Sequence, residues 1–272
     1  MKIFLIMWLF FISVIASASS DSLQIVAHDQ SRTLSKSELL SRPDLEQVSI
    51  NNDRAYPNKI MHHQAIPLCK LLAPFHVKKQ DWIELISKDD FHVYVPAIKI
   101  MDCSKNASTA MLAIEPKTKW PAIANHHGET AGPYEVIWLH PERSNVPNEY
   151  WAWSLVAIKV TGKLDDKDVL PLPKTTNPAL INGYTTYISQ CEACHRMNRI
   201  GKSSIGPDLN CPKNPLEYYP DIAVLKKFIR DPQSVLALPK RRMAGVDSKS
   251  LSDEDLNNLI QFFAYMKTEK RC

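Results

Sequence analysis

The sequence predicts an α+β protein of two domains, a β-rich N-terminal part and an all-α C-terminal part. Three observations carry that prediction. Between 161 and 178 the stretch TGKLDDKDVLPLPKTTNP holds Pro171, Pro173 and Pro178, several charges, and neither a helical nor a strand period, which is the composition of a linker. Before it, HVYVPAIKI (92–100), YEVIWLH (134–140) and WSLVAIKV (153–160) alternate or run apolar, as strands do. After it, apolar residues recur at three- and four-residue spacing, the period of a helix face.

The chain opens MKIFLIMWLFFISVIASASS. Lys2 forms a short positive start, Ile3 to Ile15 is almost wholly apolar, and Ala16-Ser17-Ala18 supplies the small residues of a cleavage site. This is the pattern of a secretory signal peptide over residues 1–18. The apolar run falls short of the roughly 20 residues of a membrane span, although an uncleaved N-terminal anchor is the alternative. The expectation is an exported, soluble, periplasmic protein whose mature chain begins near Ser19, with no stable membrane insertion. No cysteine follows the leader, which argues against a lipid anchor.

Composition narrows the class further. The seven glycines form no GxGxxG or GxxxxGK loop, so a phosphate cradle is missing and a nucleotide enzyme is disfavoured. Residues 179–272 carry 14 Lys and Arg against 10 Asp and Glu, whereas 19–178 carry 18 against 19. The basic character therefore belongs to the C-terminal part. A formal net charge of +4 without aromatic–basic interleaving is a poor footprint for nucleic acid and a better one for docking an acidic protein.

In the front part (19–160), SKSELLS offers a capping box, Ser35 with Glu38, for a short helix, and PLCKLLAP reads as another. Five of the six tryptophans fall here, which implies a packed core. So do eight of the nine histidines, including the pairs His62-His63 and His126-His127. Copper would favour such residues, but neighbours on a strand point to opposite faces, so a pair seldom gives two ligands to one ion. The loop HHGETAGP is the expected interaction site of this part.

In the back part, INGYTTYISQCEACH reads as a helix leading into a CxxCH motif, Cys191, Cys194 and His195. Two thiols at this spacing serve a zinc clip, a redox dithiol or thioether attachment of haem, and the histidine points to the third. Zinc would need further ligands nearby, and no second CxxC or HxxxH is present. DIAVLKKFI places Ile222, Leu225, Phe228 and Ile229 on one face. LSDEDLNNLIQFFAYMK begins with Ser252 as N-cap, three acids in its first turn, and Leu256, Leu259, Ile260, Phe263 and Met266 at helical spacing. A haem iron would take His195 as one axial ligand, and a methionine sulfur is the natural second. Met197 is too close to His195 to reach the opposite side, and Met266 lies in an apolar helix face. Met243, in the irregular segment LPKRRMAG, is the expected ligand.

With these residues in view, 179–272 resembles a class I c-type cytochrome. Gly183 and Tyr187 precede the CxxCH by eight and four residues, Leu259 and Phe262 fall at the crossing positions of the last helix, and SIGPDLN supplies Pro207. The resemblance implies one covalent haem c on Cys191 and Cys194, with iron held by His195 and Met243. It also implies a Pro207 carbonyl that accepts from His195 Nδ1–H and orients the ring. The front part resembles, in the order of its pieces, the molybdopterin-binding domain of the sulfite oxidase family. The matching stretches run from TLSKSELLSRPDLEQVSI to GPYEVIWLHPERSNVPNEYWAWSLVAIKV. That family holds molybdenum through a cysteine thiolate, and the comparable segment here, VSINNDRAYPN, has none. The resemblance therefore implies a degenerate scaffold without its cofactor.

The four other cysteines, Cys69, Cys103, Cys211 and Cys272, allow three connectivities. Pairing within each part, Cys69–Cys103 and Cys211–Cys272, suits an oxidising compartment. Two functional readings stand. One is a single-electron carrier with no catalytic residue, docked by an acidic redox partner near Lys240, Arg241 and Arg242. The other is a haem-coupled oxidoreductase, similar to a sulfite dehydrogenase, with a metal or molybdopterin site in the front part.

Overall fold

The computed structural model describes residues 21–51, 53–123, 128–144, 146–162, 169–203, 205–236, 243, 245–248 and 250–272. Period-two burial builds the strands. In β1 (Ser22–Ala27), Leu23, Ile25 and Ala27 are buried and the residues between them are not. A turn at His28, in the left-handed region (φ 51°), returns the chain as β2 (Gln30–Ser35). Seven strands follow: β3 (Glu46–Asn51), β4 (Ile60–Pro67), β5 (Trp82–Ser87), β6 (His92–Pro96), β7 (Thr109–Ile114), β8 (Tyr134–Leu139) and β9 (Leu155–Thr161). They form a five-stranded sheet in the order β2-β1-β9-β5-β6 and a four-stranded sheet in the order β3-β4-β7-β8. The pairing of β1 with β9 is parallel and the other pairings are antiparallel. One buried apolar cluster draws on both sheets, with Leu23, Ile25 and Leu85 from the first and Ile66, Leu112 and Ile137 from the second.

Short helices punctuate the strands. In α1 (Lys36–Leu40), Ser35 and Glu38 close the capping box in both directions. In α2 (Leu68–Leu72), Cys69 bonds to Cys103, with Cα atoms 6.2 Å apart. The stretch HVYVPAIKI is not one strand. Pro96, with φ near −55° and no N–H, ends β6, and Ala97–Ile100 turn into α3.

Beyond the linker come α4 (Pro178–Gln190), α5 (Pro215–Tyr218), α6 (Ile222–Arg230) and α7 (Asp253–Thr268). Each begins on a side-chain cap: Asn177, Asn214, Asp221 and Ser252. Helices α4 and α7 cross at Gly183, where a Cβ would overlap the Asn258 carbonyl and Phe262. Buried asparagines tie the preceding chain to α7. Asn210 Nδ2 donates to Met266 O at 2.7 Å, and Asn214 Nδ2 donates to Phe263 O at 3.0 Å. Cys211 and Cys272 close the same end as a disulfide, with Cα atoms 5.5 Å apart.

The expected fold class is overturned. The described residues are mainly two β-sheets of nine strands, the helices are few and mostly short, and no all-α class I cytochrome c domain is evident. The physical reason lies in the packing. The buried cluster around α4 and α7 includes Tyr94 of β6 and packs against Trp82 of β5, while Ala193 belongs to the sheet core. The helices thus share their core with the five-stranded sheet. Ile222, expected on the buried face of α6, is 47% exposed, and burial there falls on Leu225 and Ile229.

A charged cluster joins the two halves. Glu84 of β5, almost fully buried, meets His92 Nδ1 at 2.9 Å and Lys202 Nζ at 3.3 Å, and accepts from Tyr94 OH at 3.1 Å. The hydrogen bond to Glu84 raises the His92 pKa above 6.5. Burial pushes Glu84 up, but His92 and Lys202 outweigh it and hold the carboxyl below 4.5. The signs set a pH window. The stability from His92 is present below its unfolded pKa and is lost as pH rises through the raised folded value. That from Glu84 is present above its unfolded pKa and is lost as pH falls through the lowered folded value. Urea midpoints are therefore expected to peak between these limits, and His92→Gln is expected to flatten the decline on the alkaline side. A decline unchanged in that variant would assign it to other groups.

Candidate functional site

The CxxCH residues occupy the turn that ends α4. The Cys191 N–H donates to Tyr187 O at 2.9 Å, and the His195 N–H donates to Cys191 O at 2.8 Å, so the last helical turn folds over the motif. Tyr187, fully buried, donates its hydroxyl to His195 O at 2.9 Å. The segment 205–207 then passes beside the histidine ring. The Gly206 N–H donates to Cys194 O at 2.7 Å, and His195 Nδ1 donates to Pro207 O at 2.8 Å. A carbonyl only accepts, so the proton sits on Nδ1 and Nε2 carries the free lone pair. A Cβ on Gly206 would overlap the ring at Cε1 and Nδ1. Glycine is therefore what lets the chain lie flat against the imidazole.

Cys191 and Cys194 are partly buried and unpaired, while the other four cysteines are joined in two disulfides. Burial, reinforced by the nearby Glu149, pushes the Cys191 thiol far up and the Cys194 thiol up to about 12. Glu149 is itself held up at about 8 by burial. A redox dithiol needs at least one thiol with a lowered pKa, and these have the reverse. A zinc clip needs its donor atoms to converge. Among the described residues the one convergent His/Cys/Asp/Glu group lies elsewhere, and neither thiol belongs to it. Burial lowers the His195 pKa, although the hydrogen bond to Pro207 opposes it, which favours the neutral ring that a metal ligand must be.

Met243 is partly buried. The chain just after it is pinned: Gly245 packs on the Arg230 carbonyl, Val246 N–H donates to Ile229 O at 3.0 Å, and Arg230 Nη1 donates to Val246 O, Asp247 O and Leu251 O. Met197 and Met266 are buried in the core around α7. Lys240, Arg241 and Arg242 lie outside the described residues, as do the signal peptide and the pair His126-His127. In the HHGETAGP loop, Glu129 and Thr130 line a shallow cleft with Lys88, Asp89 and Trp153.

The front part holds a convergent group that sequence reasoning missed. Asp53, in the loop after β3, His63 of β4 and Glu135 of β8 are all fully buried, and one donor atom from each lies within 4.8 Å of the others. Their common face follows from register: Ala65 of β4 pairs with Ala113 of β7, which pairs with Glu135, so His63, two residues from Ala65, faces the same side. The only trace in the sequence was the His62-His63 alternation, and the strand honours it: His62 is exposed and contacts Ser49 at 2.8 Å, while His63 points inward.

No family model matches the chain, and no curated protein matches it. Among solved structures it is similar to the crystal structure of the sulfane dehydrogenase SoxCD from Paracoccus pantotrophus, at 18% identity and a TM-score of 0.35. The match covers 56% of this chain and 43% of that one, so the chain spans less than half of that chain's length. No helix among the described residues is long and apolar enough to cross a membrane.

Proposed function

We propose that the chain carries one covalent haem c on Cys191 and Cys194, with His195 as a ligand of its iron, and that it acts as a single-electron carrier. The observation that carries this reading is the His195 ring. Its Nδ1 is committed to Pro207, leaving Nε2 unprotonated for iron, and its two motif neighbours are unpaired thiols. Bound there, haem supplies a one-electron iron couple. Tyr187, Gly206 and Pro207 hold the histidine in one tautomer and one orientation. Met243 is the proposed second ligand, because Met197 and Met266 are spent on packing and a thioether favours ferrous iron.

The oxidoreductase reading needs a substrate centre in the front part. Its only cysteines, Cys69 and Cys103, are joined to each other, so neither offers molybdenum a thiolate. This favours docking over catalysis. The proposed partner is an acidic redox protein meeting Lys240, Arg241 and Arg242, a proposal that rests on the sequence.

The test is a pyridine haemochrome assay on protein exported from a host that attaches haem c. One haem per chain is expected, surviving denaturing electrophoresis, and none in the Cys191→Ser/Cys194→Ser variant. Met243→Ala should keep the haem and open the iron to carbon monoxide; an unchanged spectrum would transfer the role to Met266. Wild-type protein without haem would refute the carrier reading, and haem reduction by sulfite in the purified protein would favour the enzyme.

A further inference from the structure

The group Asp53–His63–Glu135 poses an electrostatic problem that the described residues leave unsolved. Two carboxyl groups and an imidazole lie in the interior beside the second sheet, each with no exposed surface. Asp53 is well held: Oδ1 accepts from the Ala55 N–H at 2.9 Å, and Oδ2 lies 2.9 Å from His63 Nε2. Glu135 is not. Among the described residues its oxygens meet no N–H or hydroxyl donor, only the Asp53 carboxyl, and His63 Nδ1 also lacks a partner. No lysine or arginine is paired with either carboxyl group among the described residues. Buried charges of one sign are not tolerated unless something neutralises them, and the candidates are a shared proton and a cation.

We propose that Asp53, His63 and Glu135 bind one divalent first-row metal ion. Three features favour a cation over a proton. Two carboxylates balance a doubly charged ion, leaving a neutral group in an apolar core. The donor set of one imidazole and two carboxylates suits Zn²⁺, Mn²⁺ or Fe²⁺ and lacks the sulfur that selects Cu⁺. The cluster also leaves both Glu135 oxygens unpaired among the described residues, whereas one proton shared with Asp53 engages only one of them. The surroundings shape a closed site. Ala113, between β4 and β8, keeps the space over the sheet clear, and the Trp120 ring stands edge-on to His63 at a centroid distance of 5.0 Å. Tyr56, also buried, accepts from the Ala131 N–H at 2.9 Å; burial raises its pKa, and Glu135 and Asp53 nearby add to the rise. With no exposed donor, the ion is structural, taken up as the chain folds. It would join the end of β3, β4 and β8, segments more than 70 residues apart at the extremes.

The test is metal analysis of the full-length protein, as purified and after refolding under non-reducing conditions with Zn²⁺, Mn²⁺ or chelator, iron being counted against haem. About one non-haem metal per chain is expected in the wild type. Refolding with chelator should lower the thermal midpoint by roughly 5–15 °C. Glu135→Gln and Asp53→Asn should bind metal at least tenfold more weakly and lose the sensitivity to chelator. X-ray absorption at the metal edge should show nitrogen and oxygen donors without sulfur. This last readout keeps the proposal falsifiable if the variants do not fold, since sulfur in the shell would place the ion at Cys191 and Cys194. Wild-type protein that takes up neither metal, with a midpoint that chelator does not move, would overturn the proposal. Glu135→Gln matching the wild type in stability and metal content would do so too, because an amide can replace a protonated acid.

Discussion

Gly206→Ala is expected to unseat His195. One added methyl group meets ring atoms Cε1 and Nδ1, and the chain cannot retreat, because the Gly206 N–H is bonded to Cys194 O at 2.7 Å inside the same turn. The ring must tilt away, and its hydrogen bond to Pro207 lengthens or breaks. Overpacking of this kind costs about 1–3 kcal/mol, and losing the hydrogen bond adds about 1 kcal/mol. On the proposed haem reading the larger effect falls on the iron, because the Nε2 lone pair turns with the ring. The visible spectrum should shift and carbon monoxide should bind where the wild type excludes it. The stability loss stands apart from the haem reading. A normal spectrum with a lowered midpoint would leave the steric argument intact and count against His195 as a ligand, whereas an unchanged midpoint would sink the steric argument.

Removing the C-terminal disulfide should have the largest effect on stability. Cys211 and Cys272 are 61 residues apart, and the chain-entropy relation assigns a link of that span about 4 kcal/mol. Domains are commonly stable by only about 5–15 kcal/mol, so Cys211→Ser/Cys272→Ser removes a large share. The asparagine ladder beside the link is retained in that variant: Asn210 Nδ2 also donates to Asn198 Oδ1, and Asn198 Nδ2 donates to Glu269 O. The experiment therefore isolates the covalent link from the hydrogen bonds that run alongside it. Urea unfolding under non-reducing conditions measures the difference, and a change below about 1 kcal/mol would mean that the ladder alone keeps the unfolded ensemble compact there. The Cys69–Cys103 link, 34 residues in span, differs by only about 0.5 kcal/mol on the same relation, because loop entropy grows with the logarithm of length.

What the sequence by itself determined is local. The capping box of Ser35 and Glu38, the Ser252 cap of α7, the opposite facing of His62 and His63, and the nearness of two thiols to His195 each depend on residues a few positions apart. Short-range geometry decides these whatever the rest of the chain does. Strands β1 to β5 and β7 went unread: they are short, β4 carries a polar residue, His63, on its buried face, and β7 (TAMLAI) is an apolar run whose period does not separate a strand from a helix. Only the tertiary structure decided the rest. The parallel pairing of Ile25 with Ile158, the burial of Tyr94 among the residues of α4 and α7, and the meeting of Asp53, His63 and Glu135 all join distant segments. The fold class was misread for the same reason. Helical periodicity records which residues of a segment are buried but not what buries them, and here part of the cover comes from a β-sheet.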